Sequence, residues 1–178
     1  MYCGNNRTAR SSQRQISEAM RRLMLHKTYA SISVSELCKE AGISRPTFYS
    51  LFRSTENVIL YLLQEDCCEL PRETQSGTSL ELLCHIYSNY ICHNREFLKL
   101  LVENDIGYLL YNSVYDSFLH CGCCLQTVPE QERQYAAHFL AGGITGVVRQ
   151  YCITDPPPSV ESLSTLLWNL FSGQMFSL

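Results

Sequence analysis

The chain has 178 residues, of which 46% are hydrophobic and 17% charged, and its formal net charge at pH 7 is −3. A chain of this length and composition can bury one sizeable core or two small ones, so we do not expect disorder as its main state. No stretch approaches the roughly 18 continuous apolar residues of a membrane span, and no N-terminal segment has the apolar run of a signal peptide. We therefore expect a globular protein of the cytoplasm, without a membrane partner.

Charge is distributed unevenly along the chain. Nine of the 14 Lys and Arg residues but only three of the 17 Asp and Glu residues lie at residues 1–53, which leaves +6 on this segment and −9 on the remainder. A basic segment attached to an acidic body suits a protein that docks on phosphates through one end only. The asymmetry indicates nucleic-acid binding by the first third of the chain.

Hydrophobic residues recur with helical spacing almost throughout, and no stretch alternates between apolar and polar residues as a half-buried strand would. The pattern predicts an all-α fold of about nine helices. The Pro-rich run at residues 155–158 ends the helix before the last one, because proline cannot continue a helix. Capping-box spacings mark four helix starts: Ser12 with Gln15, Ser33 with Glu36, Thr78 with Glu81, and Thr127 with Glu130.

Residues 33–52 have the spacing of a helix-turn-helix. The pattern predicts one helix over Val34–Ala41 and a second over Arg45–Leu51. Gly42 lies where the first helix must end with a positive φ, which glycine adopts at little cost. Ser44 and Ser54 can cap the helices that follow them.

The second helix of such a motif presents its N-terminal residues to base edges in the major groove, and arginine is the side chain best matched to guanine. We therefore expect Arg45 to read bases and Thr47 to touch a base or a thymine methyl group. Tyr49 and Ser50 are expected to bind phosphate and fix the register, as are the serines at the start of the preceding helix. The alternative is that this helix pair is only a packing unit of a helical bundle.

The segment ISVSELCKEAGISRPTFYSLFRSTENVI, residues 32–59, closely resembles the DNA-binding signature of tetracycline-repressor (TetR) family regulators, and the resemblance covers residues 11–63. It implies an N-terminal three-helix DNA-binding domain at residues 1–56 and a helical dimerisation and ligand-binding domain at residues 57–178. In that family a lysine at the start of the fourth helix touches phosphate, whereas this chain has Thr55 there. The hydroxyl and the helix-start amides can still bind phosphate. The expected DNA-binding residues are Ser33, Ser35, Ser44, Arg45, Pro46, Thr47, Tyr49, Ser50 and Thr55.

From about Thr78 onward the chain resembles, more loosely, the C-terminal domain of Gram-positive TetR-like regulators of the dihydroxyacetone-kinase-regulator type. The matching stretches are YICHNREFLKLL, from Tyr90, and AAHFLAGGITGVVRQY, from Ala136. The resemblance implies dimers. Residues 134–151 agree, because they are apolar on more than one face around a glycine cluster, which indicates close packing. The last two helices of each subunit would form a four-helix interface, and packing within one chain is the alternative.

The middle of the chain is rich in aromatic residues. Aromatic walls that carry a few hydroxyls suit a pocket for a mostly apolar small molecule, although an ordinary core is an equally simple interpretation. The candidate pocket residues are Tyr87, Tyr90, Phe97, Tyr108, Tyr111, Tyr115 and Phe118.

The chain contains ten cysteines. We interpret them as reduced thiols, because no export signal accompanies them. A metal or redox site is an alternative, but the spacing provides no paired CxxC motif. We therefore expect neither a metal nor a cofactor at the cluster formed by His120, Cys121, Cys123 and Cys124, with Cys67 and Cys68 elsewhere.

Taken together, these features predict a DNA-binding transcriptional regulator. We expect a ligand-responsive repressor that acts as a homodimer on a palindromic double-stranded DNA operator, and whose small-molecule effector is unknown. A second interpretation is a TetR-like coregulator that acts through a protein partner without a small-molecule ligand of its own. An enzyme is not expected, because no nucleophile, base and orienting group converge in any motif.

Overall fold

The computed structural model describes residues 6–68, 79–120, 125 and 128–175. Over these residues the fold is all-α, as predicted, with nine α-helices, a short 3₁₀ turn at Tyr29–Ser31 and no strand. The helices are α1 Arg7–Met24, α2 Val34–Ala41, α3 Arg45–Leu51, α4 Thr55–Cys68, α5 Leu80–His93, α6 Arg95–Glu103, α7 Gly107–His120, α8 Glu130–Ile153 and α9 Val160–Phe171.

Short polar side chains begin several of these helices. The Ser33 hydroxyl accepts a hydrogen bond from the Glu36 N–H, which confirms the cap predicted for α2. Ser44 caps α3 and Ser159 caps α9 in the same way. These bonds satisfy backbone donors that a helix start otherwise leaves without partners.

The predicted start at Ser12 is wrong. Helix α1 begins at Arg7, and the side chain of Asn6 accepts from the Thr8 N–H at 3.0 Å. Asparagine caps a helix as well as serine does, so the helix starts at the earlier of two suitable residues. Thr78 and Thr127 lie outside the described residues; α5 is capped by Ser79, and α8 follows Pro129.

Helices α1 to α3 and the 3₁₀ turn form the part of the molecule that we call the head, and α5 to α9 form the body. Helix α4 packs against α1 on one side and α7 on the other. The predicted domain boundary between residues 56 and 57 therefore falls in the first turn of a helix that contacts both parts. Buried hydrophobic residues form one continuous cluster from α1 to α9.

In the body, α5 packs against α9, and α8 packs against α6 and α7. A groove lined mainly by apolar side chains remains between α8 and α9. No helix among the residues that the structure describes is long and apolar enough to cross a lipid bilayer.

Candidate DNA-binding site

The turn between α2 and α3 sets the angle between the two helices. Gly42 ends α2 in the left-handed conformation, at φ 66° and ψ 28°. The N–H of Ile43 then donates to the carbonyl of Cys38 at 2.9 Å, which satisfies an acceptor at the end of α2. The predicted bounds of both helices are confirmed.

Helix α3 has one buried and one exposed side. Phe48 is fully buried and Leu51 nearly so, and these two side chains hold α3 on the head. Arg45 and Pro46 in the first turn are exposed, and Tyr49, one turn further on, is 51% exposed. The N-terminal part of α3 therefore offers its polar side chains to the surroundings, as a recognition helix must.

Hydroxyl groups at the start of α3 are already engaged with one another. The Ser44 hydroxyl lies 2.7 Å from the Thr47 hydroxyl and accepts from the Thr47 N–H. Ser50 donates to the Thr47 carbonyl. Ser33 and Ser35 at the start of α2 are exposed.

Ion pairs within the head leave particular basic side chains available. Arg22 Nε lies 2.9 Å from Glu40 Oε1, and Lys27 pairs with Glu36. Within the described residues, the guanidinium of Arg45 has no hydrogen bond or ion pair. Arg45 interacts electrostatically with Cys38. Burial raises the pKa of the Cys38 thiol, and the charge of Arg45 lowers this pKa by a smaller amount. Arg45 thus presents an unpaired positive charge beside a neutral thiol.

Thr55 is the first residue of α4, which is the position that the sequence predicts for it. It is partly buried, and its hydroxyl lies 3.0 Å from the hydroxyl of Tyr29. Burial raises the pKa of Tyr29; the bond to Thr55 lowers it, and the charge of Glu56 raises it. The Thr55 hydroxyl therefore already has a partner within the chain.

Sequence reasoning missed Arg53, which lies two residues before Thr55. Its side chain is exposed and has no partner in the part of the chain that the structure describes. The backbone around it is fixed, because the Arg53 N–H donates to Asn57 Oδ1 and Ser54 caps the following turn. We therefore add Arg53 to the candidate phosphate contacts. The sequence signal for it is its place next to the Phe-x-Ser pattern in a basic segment.

The seven aromatic pocket candidates differ in how deeply the structure buries them. Phe97 and Phe118 are buried in the core. Tyr87 stacks on Phe118, whereas Tyr111 and Tyr115 stack on each other. Tyr108 is 48% exposed and Tyr90 packs against the core from its edge. A pocket shared by these residues stays a prediction.

Within the described residues, no three His, Cys, Asp or Glu side chains are placed to hold a metal ion. His120 is exposed, and its Nδ1 lies 2.8 Å from the Asp116 carbonyl. Cys38, Cys84, Cys92 and Cys152 are free thiols. The remaining members of the proposed cluster lie outside what the structure describes: Cys121, Cys123, Cys124 and the side chains of Cys67 and Cys68.

Comparison with known proteins agrees with this geometry. Residues 16–62 match the family model described as "Bacterial regulatory proteins, tetR family". The chain is 24% identical to the HTH-type dhaKLM operon transcriptional activator DhaS of Lactococcus lactis, over 92% of this chain and 90% of that protein. It is 57% identical to the HTH-type transcriptional regulator EthR of Mycolicibacterium smegmatis over 42 residues, which are 24% of this chain and 19% of EthR.

Solved structures share the fold along nearly the whole chain. Lin0861 from Listeria innocua has a TM-score of 0.80 at 16% identity and covers 98% of this chain and 96% of its own. The dihydroxyacetone kinase operon activator DhaS has a TM-score of 0.59 at 20% identity, with 92% and 95% covered. The family match over residues 16–62 and the similarity to DhaS along nearly the whole chain identify a DNA-binding transcriptional regulator with a TetR-type helix-turn-helix. The remainder of the chain shares its fold with DhaS.

We predict different effects for two changes on α3. Arg45→Ala should weaken the free energy of binding to a selected duplex by about 1–3 kcal/mol, because it removes a base contact. Its binding to a random duplex should weaken much less. Tyr49→Phe should weaken both duplexes similarly, because it removes a phosphate contact. Fluorescence anisotropy with labelled duplexes measures both affinities, and equal losses on the two duplexes for Arg45→Ala would refute its role.

We also predict that Arg53 binds phosphate. Arg53→Gln should lower the slope of log affinity against log salt by about one unit without changing sequence preference. Lys99→Gln on α6 is the matched control, since it removes the same charge from the body and should leave the slope unchanged. An unchanged slope for Arg53→Gln would show that this residue does not touch the DNA.

Proposed function

We propose that the protein is a homodimer that binds a roughly palindromic operator in the cytoplasm, through α3 of each subunit. Residues 1–56 would form the DNA-binding domain and residues 57–178 the dimerisation and effector domain. The observation that carries the proposal is the exposed Arg45 at the first position of α3, which is unpaired within the described chain. Arg53 would bind phosphate, the role first expected of the Thr55 hydroxyl. The other expected DNA contacts are Ser33, Ser35, Ser44, Pro46, Thr47, Tyr49 and Ser50.

The exposed side of α8 supports pairing with a second copy. Tyr135 is 79% exposed, Phe139 75% and Ile153 65%, and their spacing places them along one face of the helix. Large aromatic side chains are rarely left this exposed unless something covers them. Together with the apolar groove between α8 and α9, this face fits the four-helix dimer interface expected from the sequence.

Glycines on α8 support the same interface. A Cβ atom added at Gly142 or Gly146 would meet no heavy atom within 4 Å, so packing within the chain does not require glycine there. Each glycine costs about 1 kcal/mol in a helix interior relative to alanine. A second helix that approaches closely at these positions would account for the cost.

The sign of regulation has two candidates. We expect a ligand-responsive repressor, with an unidentified small molecule as effector. Activation is the second candidate, because DhaS, which is similar along nearly the whole chain, is named a transcriptional activator. In neither case do we propose an enzymatic activity.

The dimer interface predicts a specific change in mass. Phe139→Glu should convert the dimer to a monomer, because it places a charge in an apolar interface. Leu25→Glu is the control, since Leu25 is also an exposed apolar residue but lies on the head. Sedimentation velocity distinguishes the two masses. A wild-type monomer, or a Phe139→Glu dimer of unchanged stability, would contradict the interface.

The DNA-binding proposal is tested by a gel shift on the intergenic DNA upstream of the protein's own coding sequence. We expect a retarded band at low salt that a specific competitor removes at lower concentration than random DNA does. Arg45→Ala should abolish the difference between the two competitors. No retarded band at low salt would favour the coregulator that acts through a protein partner.

A further inference from the structure

The head meets the body at a corner formed by the end of α6 and the start of α7, residues 104–108. The Asn104 side chain accepts a hydrogen bond from the backbone N–H of Tyr29 at 2.6 Å. Its amide group also donates to the carbonyl of Leu100, one turn earlier in α6. Asn104 is therefore held by its own helix while it binds the 3₁₀ turn of the head.

A second hydrogen bond joins the same corner to α4. The hydroxyl of Tyr108 donates to Glu56 Oε1 at 2.5 Å, and this bond, followed by burial, raises the pKa of Tyr108 to about 12. The hydroxyl thus keeps its proton at any pH at which DNA binding is measured. Glu56 lies five residues after the last residue of α3, so the bond acts close to the recognition helix.

The corner itself is a fixed turn. Asp105 has a φ of 56°, in the left-handed region that aspartate adopts more readily than most residues other than glycine. The Ile106 N–H donates to the Leu101 carbonyl at 3.0 Å, and the Ile106 side chain is buried. The body therefore presents Asn104 to the head, and Tyr108 to the first turn of α4 directly after the head, from a constrained backbone.

Apolar contact and hydrogen bonding constrain the head differently. The Arg21 guanidinium lies 4.2 Å from the centre of the Phe97 ring, and the core is continuous between the two parts. The apolar part of this contact holds the surfaces together without being directional, and the cation–π pair only requires that the guanidinium lie over the face of the ring. Short hydrogen bonds require a defined distance and angle, so the bonds at the corner select one orientation of the head.

We propose that Asn104 and Tyr108 are positioning residues, which fix the head on the body and thereby set the half-site spacing that the dimer selects on DNA. This inference rests on the proposed function, because only a dimer on two half-sites can express a spacing preference. The two recognition helices of such a dimer lie about one helical turn of DNA apart. A rotation of either head changes that distance, so spacing reports head orientation directly.

The experiment uses full-length protein and a duplex selected by the wild-type protein from random DNA. From this duplex we derive versions in which the spacing between half-sites is longer or shorter by one or two base pairs, and a version with one half-site. Anisotropy gives the affinity of each variant for every duplex. Tyr108→Phe should reduce the ratio of the affinity for the preferred spacing to that for an altered spacing by about threefold to tenfold, the range expected for one hydrogen bond. Its affinity for the single half-site should equal that of the wild type.

Glu56 provides a matched pair of variants. Glu56→Gln and Glu56→Ala remove the same charge, but only glutamine keeps an oxygen that can accept from Tyr108. Glu56→Gln should therefore keep the spacing preference, and Glu56→Ala should lose it to the same extent as Tyr108→Phe. Combining Tyr108→Phe with Glu56→Ala should cause no further loss, because both remove one bond. Asn104→Ala should also reduce the preference.

Tyr115→Phe is the control for loss of a tyrosine hydroxyl in general. Tyr115 lies two turns after Tyr108 on α7 and stacks on Tyr111 within the body, so this change, tested without an effector, should leave the spacing preference unchanged. An unchanged preference in Tyr108→Phe, or equal behaviour of Glu56→Gln and Glu56→Ala, would overturn the inference. A wild-type protein that binds two half-sites no better than one would instead overturn the proposed function.

Discussion

A helix of seven residues is too short to be stable in water by itself, and α3, the proposed recognition helix, has this length. It exists because Phe48, Leu51 and the adjoining Phe52 are buried against the rest of the head. Phe48 and Phe52 also lie against each other, with ring centroids 5.9 Å apart. Because these buried side chains stabilise α3, its exposed side can present the polar residues Arg45 and Tyr49 to DNA.

Charge pairing decides what that exposed side can do. The head has few acidic residues, and Glu36 and Glu40 are bound to Lys27 and Arg22. These surface pairs contribute little to stability. Their consequence is local: they neutralise the acids of α2, so that these acids do not offset the positive charge of Arg45. The net charge of −9 on residues 54–178 disfavours contact between this part of the chain and phosphates.

Local signals made the helix-turn-helix predictable. Ser33, Gly42 and Ser44 each act within a few residues, so the bounds of α2 and α3 followed from the sequence alone. The start of α1 was less determined, because Asn6 and Ser12 are both good caps and the apolar face begins only at Ile16. Resemblance to a family drew attention to Thr55, and Arg53 beside it was overlooked.

Contacts between distant residues could not be predicted in this way. Tyr29 and Asn104 are 75 positions apart, and Glu56 and Tyr108 are 52 apart. Their pairing depends on how α4 packs against α7, which no local pattern encodes. The aromatic residues illustrate the same limit. Composition shows that they are numerous, but helix packing determines that Phe97 and Phe118 fill the core while Tyr108 reaches Glu56 on α4.

The central claim is that two copies of α3 read one operator together. Hydroxyl-radical footprinting on the DNA upstream of the coding sequence tests it most directly, because it locates protein contacts along each strand. We expect two protected regions on one face of the duplex, centred about 34 Å apart, both of which are lost in Phe139→Glu. A single protected region, or the same footprint from the monomeric variant, would contradict it.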